Sequence, residues 1–343
     1  MSRMLILAVV FGSIALAASP RTWSFSTATM GTIANLSVVA SDSADVADPA
    51  YRALLSFHRA DSLLSNWTDT SEIARINREA AASPVALDDA LARILATAET
   101  VHRESDGAFD PTIEPLVRAW GFLGGTPHVP TAAELDRAAG VVGWSNVVLE
   151  GRTVRFRKPG IRIDLGGIAK GFAVDEAARL LDGDGVEAYL LDLSGNMVLR
   201  GAPPEREAWR IGIRDPLDRV DHLGTLGLRD VAIATSGDYE QFVAEDGRRY
   251  GHILDPRTMR PVEGMAQVTV VAPTAMLADA WSTALFVLGA EAGRRVAAEY
   301  EELHCILIRR DDQGGLEMWV EEDLRSAYAP HPDTAGLVSI HWF

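Results

Sequence analysis

Hydrophobic and polar residues alternate along this chain in patterns that predict both strands and amphipathic helices. Alternation over residues 23–28 and again over residues 33–39 predicts two strands joined by a turn that contains Gly31. Apolar residues then recur at helical spacing over residues 50–64 and 87–103. The chain therefore begins with a strand pair that is followed by helices.

The remaining pattern mixes short strands with further helices. Helices are predicted at residues 71–77, 113–120, 131–139, 276–288 and 292–301, with another that ends near Leu181. Strands are predicted at residues 146–149, 153–157, 161–164, 187–192, 209–214, 225–228, 231–235, 267–272, 305–309 and 316–320. We expect an α+β protein with a mixed, mostly antiparallel sheet, flanking helices and a cleft between two lobes. No element is assigned beyond Ser326.

Length and charge limit the class of protein. A chain of 343 residues is long enough for one large core or two lobes. Its 48 acidic residues against 32 basic ones give a formal net charge of −16. A nucleic-acid-binding protein would need a basic surface, so this charge balance argues against that class.

The first residues have the pattern of a secretory signal. Arg3 precedes an apolar run from Leu5 to Ala17, which ends in small residues suited to cleavage. We predict a signal peptide at residues 1–17, a domain at residues 18–325 and a C-terminal tail at residues 326–343. The alternative is an uncleaved N-terminal anchor. Cys305 is the single cysteine, so the exported chain cannot form an intramolecular disulfide.

Asp279 and Thr283 are the strongest candidates for chemistry. They lie four residues apart on the predicted apolar helix, so their side chains share one helix face. A carboxylate among Ala, Leu and Trp residues needs a partner that offsets its desolvation. Two oxygen donors aimed at one point form half of a small-cation site of the Mg²⁺ type. Alternatively, Asp279 stabilises its own helix and Thr283 bonds back to the Asp279 carbonyl.

Other polar and glycine-rich positions allow two interpretations each. Gly166 and Gly167 lie between a predicted strand and a helix, where backbone groups can face an anion or a metal. Asp110 precedes Pro111 and is held extended, which predicts an exposed carboxylate; the alternative is a helix N-cap. Trp67 is either a lid over an apolar ring or a core residue.

Several short motifs occur in a fixed order along the chain. They are Met30-Gly31-Thr32, Ser71-Glu72-Ile73 with Asn77, Gly107-Ala108-Phe109-Asp110-Pro111-Thr112, residues 164–175, Ser194-Gly195-Asn196, Thr235-Ser236-Gly237-Asp238-Tyr239, His252-Ile253-Leu254-Asp255-Pro256 and residues 278–283. Over about residues 24–320, this order closely resembles that of the ApbE family, the FAD:protein FMN transferases. The resemblance implies an exported or membrane-tethered enzyme that uses FAD and Mg²⁺ to attach FMN to a threonine or serine of an acceptor flavoprotein subunit, releasing AMP.

The resemblance also implies roles for particular residues. Asp279 and Thr283 would bind the metal through their side chains, with a main-chain oxygen of Gly167. His252 would lie near the phosphates as a base or a phosphate contact, and Asp279 would act in catalysis through the metal. The flavin and adenine pockets would be lined by Met30, Trp67, Ala108, Phe109, Asp110, Asp164, Lys170 and Ile253.

Two departures from the family pattern affect these expectations. Many relatives carry a lipobox cysteine at the end of the signal, and this chain has none there. We therefore expect an exported, periplasmic protein that is soluble or anchored by an uncleaved signal. Some relatives have a carboxylate at the position of Lys170. The alternatives to the transferase are a metal-dependent FAD pyrophosphatase and a non-catalytic exported flavin-binding protein.

Overall fold

A computed structural model describes residues 19–343 of the chain except residues 240, 246, 312 and 335. The predicted signal peptide at residues 1–17 lies outside the described residues. Among the helices that are described, none has the length and apolar character needed to cross a bilayer.

The described residues form helices and strands in mixed order. The helices are α1 (Ala44–Leu64), α2 (Glu72–Glu79), α3 (Asp89–Glu104), α4 (Glu114–Ala119), α5 (Ala132–Ala139), α6 (Ala169–Gly183) and α7 (Ala275–Ala297). The strands are β1 (Arg21–Thr29), β2 (Thr32–Ala40), β3 (Val85–Ala86), β4 (Val147–Glu150), β5 (Thr153–Phe156), β6 (Tyr189–Leu193), β7 (Asn196–Arg200), β8 (Trp209–Arg214), β9 (His222–Leu228), β10 (Val231–Gly237), β11 (Phe242–Glu245), β12 (Arg248–Gly251), β13 (Leu254–Asp255), β14 (Arg260–Pro261), β15 (Met265–Ala272), β16 (His304–Arg310), β17 (Leu316–Val320), β18 (Tyr328–Pro330) and β19 (Val338–Trp342).

A nine-stranded sheet is the centre of the fold. Its strand order is β1-β2-β6-β7-β10-β15-β16-β17-β19, and the β17–β19 pair is parallel while the other pairs are antiparallel. Three-stranded sheets of β18-β9-β8 and β3-β5-β4 accompany it, with hairpins β11–β12 and β13–β14. The predicted α+β class with a mostly antiparallel sheet is confirmed.

The large sheet is covered on both faces. Every residue of β15 is buried. Its consecutive residues Val270 and Val271 belong to apolar clusters on opposite faces of the sheet. Its polar residues Gln267 and Thr269 are therefore buried along with its apolar ones. Helices α6 and α7 lie on one face, and each contributes residues to the lining of the cavity described below.

One predicted strand, at residues 161–164, is wrong. The Ile163 amide donates to Oδ1 of Asn77 at 2.7 Å, and the Asp164 amide donates to the Pro111 carbonyl at 2.7 Å. The segment is extended, but its amides pair with a side chain and a loop instead of a neighbouring strand. The hydrophobic pattern of the sequence is the same whether the backbone amides of an extended segment bond to a neighbouring strand or to side chains and loops.

The C-terminal residues contain strands that sequence analysis did not assign. Strand β18 pairs with β9, and β19 pairs with β17 at the edge of the large sheet. The alternation of Val338, Ile340 and Trp342 was the available signal, and these side chains pack on the apolar cluster beneath the sheet. Near α7, the predicted break between two helices coincides with Gly289, whose φ of 78° is non-helical.

Candidate functional site

A cavity of about 650 Å³ lies where the starts of α6 and α7 meet the end of β10. Its lining also includes the segment that precedes α4, Phe122, Leu123 and the loop before β13. The structure brings all the predicted site residues into its lining: Met30, Trp67, Ala108, Phe109, Asp110, Asp164, Gly167, Lys170, His252, Ile253, Asp279 and Thr283.

Asp279 is buried in the wall of this cavity, with only 5% of its surface exposed. Its Oδ2 accepts a hydrogen bond of 2.9 Å from the amide of Gly171, near the start of α6. Ile168, at the N-cap position of α6, makes no side-chain capping bond. Asp279 therefore stabilises the start of a neighbouring helix, which differs from the alternative that it stabilises its own.

The contacts of Thr283 also contradict the alternative that its hydroxyl bonds back to the Asp279 carbonyl. The hydroxyl that donates to the Asp279 carbonyl, at 2.9 Å, belongs to Ser282. The Oγ1 of Thr283 lies 3.4 Å from the Ser236 hydroxyl at the end of β10. A Cβ placed on Gly167 would lie 3.0 Å from Thr283 Oγ1, so the backbone there passes directly beside the hydroxyl.

These residues fit a small hard cation. A carboxylate, a hydroxyl and a nearby main-chain segment supply oxygen donors, which Mg²⁺ prefers over nitrogen or sulfur. Gly167 permits the close approach because a side chain there would meet both Thr283 and Phe109. Among the described residues, the other group suited to a metal is His304, Glu321 and Asp323, none of which lines the cavity.

Two carboxyl groups of the site, those of Asp279 and Asp164, have raised pKa values. Burial raises the pKa of Asp279 to about 6, while the charge of Lys170 and the Gly171 amide act in the opposite direction. Burial also raises the pKa of Asp164 to about 6, against the hydrogen bond that its Oδ1 accepts from the Gly166 amide at 2.7 Å. A cation bound beside Asp279 would compensate this unfavourable burial of charge.

The raised pKa of Asp279 predicts a pH dependence of stability. Between its ordinary value of 3.8 and about 6, the native state binds more protons than the unfolded state, so the free energy of unfolding falls as pH rises through that window. We expect this group to contribute a fall of about 2 kcal/mol. The measurement is unfolding of metal-free wild type and Asp279→Asn from pH 4 to 7. The difference in the free energy of unfolding between the two proteins should change across this window. A difference that stays constant with pH would contradict the prediction.

Asp110 does not have the predicted exposed carboxylate. Its residue exposure is 8%, its Oδ1 accepts from the amide and hydroxyl of Thr112, and its Oδ2 accepts from the Trp144 amide at 3.0 Å. The N-cap alternative is confirmed, because Asp110 caps the short helical turn that begins at Pro111. Its carboxylate holds the wall of the cavity together, and the adjacent Ala108 and Phe109 complete the lining.

Trp67 and His252 both line the cavity. Trp67 is 69% exposed, so its interpretation as a core residue is wrong. The Nδ1 of His252 lies 3.2 Å from the Gln241 carbonyl. Because a carbonyl can only accept, Nδ1 carries the proton in this bond, and Nε2 is the basic nitrogen of the neutral ring.

Several residues of the lining have no role predicted from the sequence. Ser236 immediately follows the strand predicted at residues 231–235, and polar residues at strand ends were the available signal. Asn66 also lines the cavity, and its amide donates to the Ile163 carbonyl at 3.0 Å. No sequence pattern marked Asn66, since the contact joins positions far apart in the chain.

The fold and the cavity together define an α+β ligand-binding protein whose site is lined by hard oxygen donors and aromatic rings. Comparison with known proteins identifies the family. The model of the ApbE family matches residues 30–307. The chain belongs to the ApbE family and is an enzyme of the transferase class.

Two curated relatives and two solved structures are similar to this chain over most of their length. The FAD:protein FMN transferase of Salmonella typhimurium is 32% identical over 317 residues, which cover 90% of each protein. That of Escherichia coli K12 is 31% identical over 306 residues, or 87% of each. Among solved structures, the flavin transferase ApbE from Vibrio cholerae has a TM-score of 0.81 at 31% identity, covering 90% of this chain and 99% of that one. The apo Pseudomonas stutzeri flavinyl transferase ApbE has a TM-score of 0.80 at 30% identity, covering 90% and 97%.

Proposed function

We propose that this protein is a FAD:protein FMN transferase that depends on Mg²⁺. The hydroxyl oxygen of an acceptor threonine or serine forms a bond to the FMN-side phosphorus of FAD. The bond from that phosphorus to the bridging oxygen breaks, and AMP leaves. The observation that carries this proposal is the position of the Asp279 carboxylate, the Thr283 hydroxyl and the Gly167 backbone together in one cavity wall.

Asp279, Thr283 and Gly167 would hold the metal ion. When bound, Mg²⁺ would supply Lewis acidity and neutralise the charge that develops on the diphosphate. Lys170 lies close enough to lower the pKa of Asp279, so its positive charge is also available to the phosphates. Phosphoryl transfer depends mainly on such positioning and charge stabilisation, without a covalent enzyme intermediate.

The proton of the acceptor hydroxyl needs a destination, and His252 is our candidate. Its Nδ1–H is directed at the Gln241 carbonyl, which orients the ring and leaves Nε2 as the basic atom. His252 lines the same cavity as Asp279. We propose that it accepts the hydroxyl proton or contacts a phosphate.

Aromatic and apolar side chains would hold the rings of FAD. Phe109 and Phe122 are buried in the lining, whereas Trp67 is exposed at its edge. A mixed lining of this kind supports binding of a ligand with flat rings and a charged centre. Asp164 and Met30 complete the proposed flavin and adenine contacts, with Ile253 and the segment Ala108–Asp110.

The sequence pattern at residues 1–17 supports export, and we propose that the protein acts in the periplasm. Its partner there would be a flavoprotein subunit that presents a threonine or serine in an accessible segment. Any membrane association would come through that partner or through an uncleaved signal.

The decisive experiment incubates purified protein with FAD and Mg²⁺, with and without an acceptor subunit. We expect FMN to become covalently attached to the acceptor, seen as a fluorescent band in a denaturing gel, together with an equal amount of AMP. An acceptor whose threonine or serine is replaced by alanine is the control and should stay unlabelled.

The other outcomes identify the rival functions. Rapid release of FMN and AMP without acceptor would show a pyrophosphatase, in which water replaces the hydroxyl. Stoichiometric FAD binding without turnover, and unaffected by Asp279→Ala, would show a non-catalytic flavin-binding protein. Either result would overturn the proposal.

A further inference from the structure

We propose that Asp175 is a positioning residue for the cation site: it holds the start of α7 and so sets the place of Asp279 relative to Gly167. This inference rests on the proposed function, which makes Asp279 and Gly167 ligands of one ion. Asp175 itself is absent from the cavity lining. It acts through the contact between two helices.

The contacts of Asp175 are specific. It lies on α6, and its Oδ1 accepts from the Ala275 amide at 2.8 Å while its Oδ2 accepts from the Met276 amide at 2.9 Å. These are the first two residues of α7. Both carboxylate oxygens are therefore used at the positive end of the neighbouring helix, where a negative charge is most stabilising.

Asp279 makes the reciprocal contact. It lies on α7, and its Oδ2 accepts from the Gly171 amide in the first turn of α6. Each helix thus supplies a carboxylate to the beginning of the other. Because both bonds cross between helices, they fix the position of one helix start against the other as well as satisfying free amides.

Close backbone packing makes this crossing sensitive to position. A Cβ on Gly171 would lie 2.1 Å from the Ala275 carbonyl oxygen, so the two helices touch backbone to backbone. Gly167 lies just before α6, and Asp279 lies one turn into α7. A shift of α7 at Ala275 would therefore move Asp279 away from Gly167.

The N-cap of α7 does not replace Asp175, because it leaves the Ala275 and Met276 amides to this carboxylate. Helix α7 already has its own N-cap, because Thr274 Oγ1 accepts from the Leu277 amide at 3.3 Å. Burial raises the pKa of Asp175 to about 6, so keeping a charge there is unfavourable in isolation. Besides satisfying these two amides, Asp175 fixes the geometry between α6 and α7.

The test measures binding of Mn²⁺, as a probe for the metal, by electron paramagnetic resonance with and without FAD. His304, Glu321 and Asp323 could also bind Mn²⁺. The binding that wild type shows and Asp279→Ala lacks is therefore taken as binding at the cavity site. For Asp175→Ala we expect affinity at this site to fall about 10-fold to 100-fold, as for other groups that orient metal ligands. Asp175→Asn keeps one acceptor oxygen and should be intermediate.

The matched control is Asp88→Ala, which removes an N-cap bond of 2.8 Å to the Leu91 amide on α3, outside the cavity lining. It should lower the melting temperature yet leave Mn²⁺ affinity unchanged. If both Asp175 variants lose stability but bind Mn²⁺ as wild type does, the role is only structural and the inference is wrong. If wild type shows no binding that depends on Asp279, the proposed metal site itself fails.

Discussion

Replacing Asp279 with Asn is expected to abolish FMN transfer while leaving the fold intact. The carboxamide oxygen can still accept the Gly171 amide, so the start of α6 keeps its partner. The negative charge that would hold the cation is lost, however. We expect kcat/KM to fall at least about 1,000-fold, or roughly 4 kcal/mol of transition-state stabilisation.

Steady-state transfer to the acceptor, at several Mg²⁺ concentrations, measures this effect. Asp184→Asn is the control because it removes the same charge at the exposed end of α6, where Asp184 pairs with Arg52 at 2.8 Å. It should keep wild-type activity. Asp279→Asn with more than half of wild-type transfer would show that this carboxylate does not hold the ion.

Replacing Gly171 with Ala is expected to have the largest effect on stability. Alanine normally favours a helix interior over glycine by about 1 kcal/mol. Here the added methyl group would lie 2.1 Å from the Ala275 carbonyl oxygen and 2.8 Å from Asp279 Cβ. Backbone cannot move aside as a flexible side chain can, so we expect a net destabilisation of about 3 kcal/mol and loss of transfer activity.

Denaturant unfolding measures this change, and Gly183→Ala on the same helix is the matched control. A Cβ on Gly183 would meet no atom within 4 Å, so that variant should be as stable as wild type or slightly more stable. If Gly171→Ala unfolds at the same denaturant concentration as Gly183→Ala, the two helix starts are not held in close contact.

Much of the site could be predicted from sequence because its residues lie at strand ends, in turns and on one helix face. Asp279 and Thr283 are one turn apart in any helix, so their proximity needed no tertiary information. The match of the ApbE model to residues 30–307 agrees with the motif order along the chain.

The remaining features depend on contacts that sequence patterns do not encode. Whether a buried Asp such as Asp110 faces a ligand or its own backbone is decided by distant partners, here Trp144. The extended segment at residues 161–164 resembles a strand locally, yet Asn77 takes its backbone bonds. The reciprocal contacts of Asp175 and Asp279 join positions about a hundred residues apart.

The proposed metal position is tested most directly by crystals grown with FAD and Mn²⁺, whose anomalous scattering locates the ion. We expect the peak about 2 Å from a carboxylate oxygen of Asp279, from Thr283 Oγ1 and from the main-chain oxygen of Gly167, beside the FAD diphosphate. A peak confined to His304, Glu321 and Asp323, or no peak in the cavity while FAD is bound, would contradict this position.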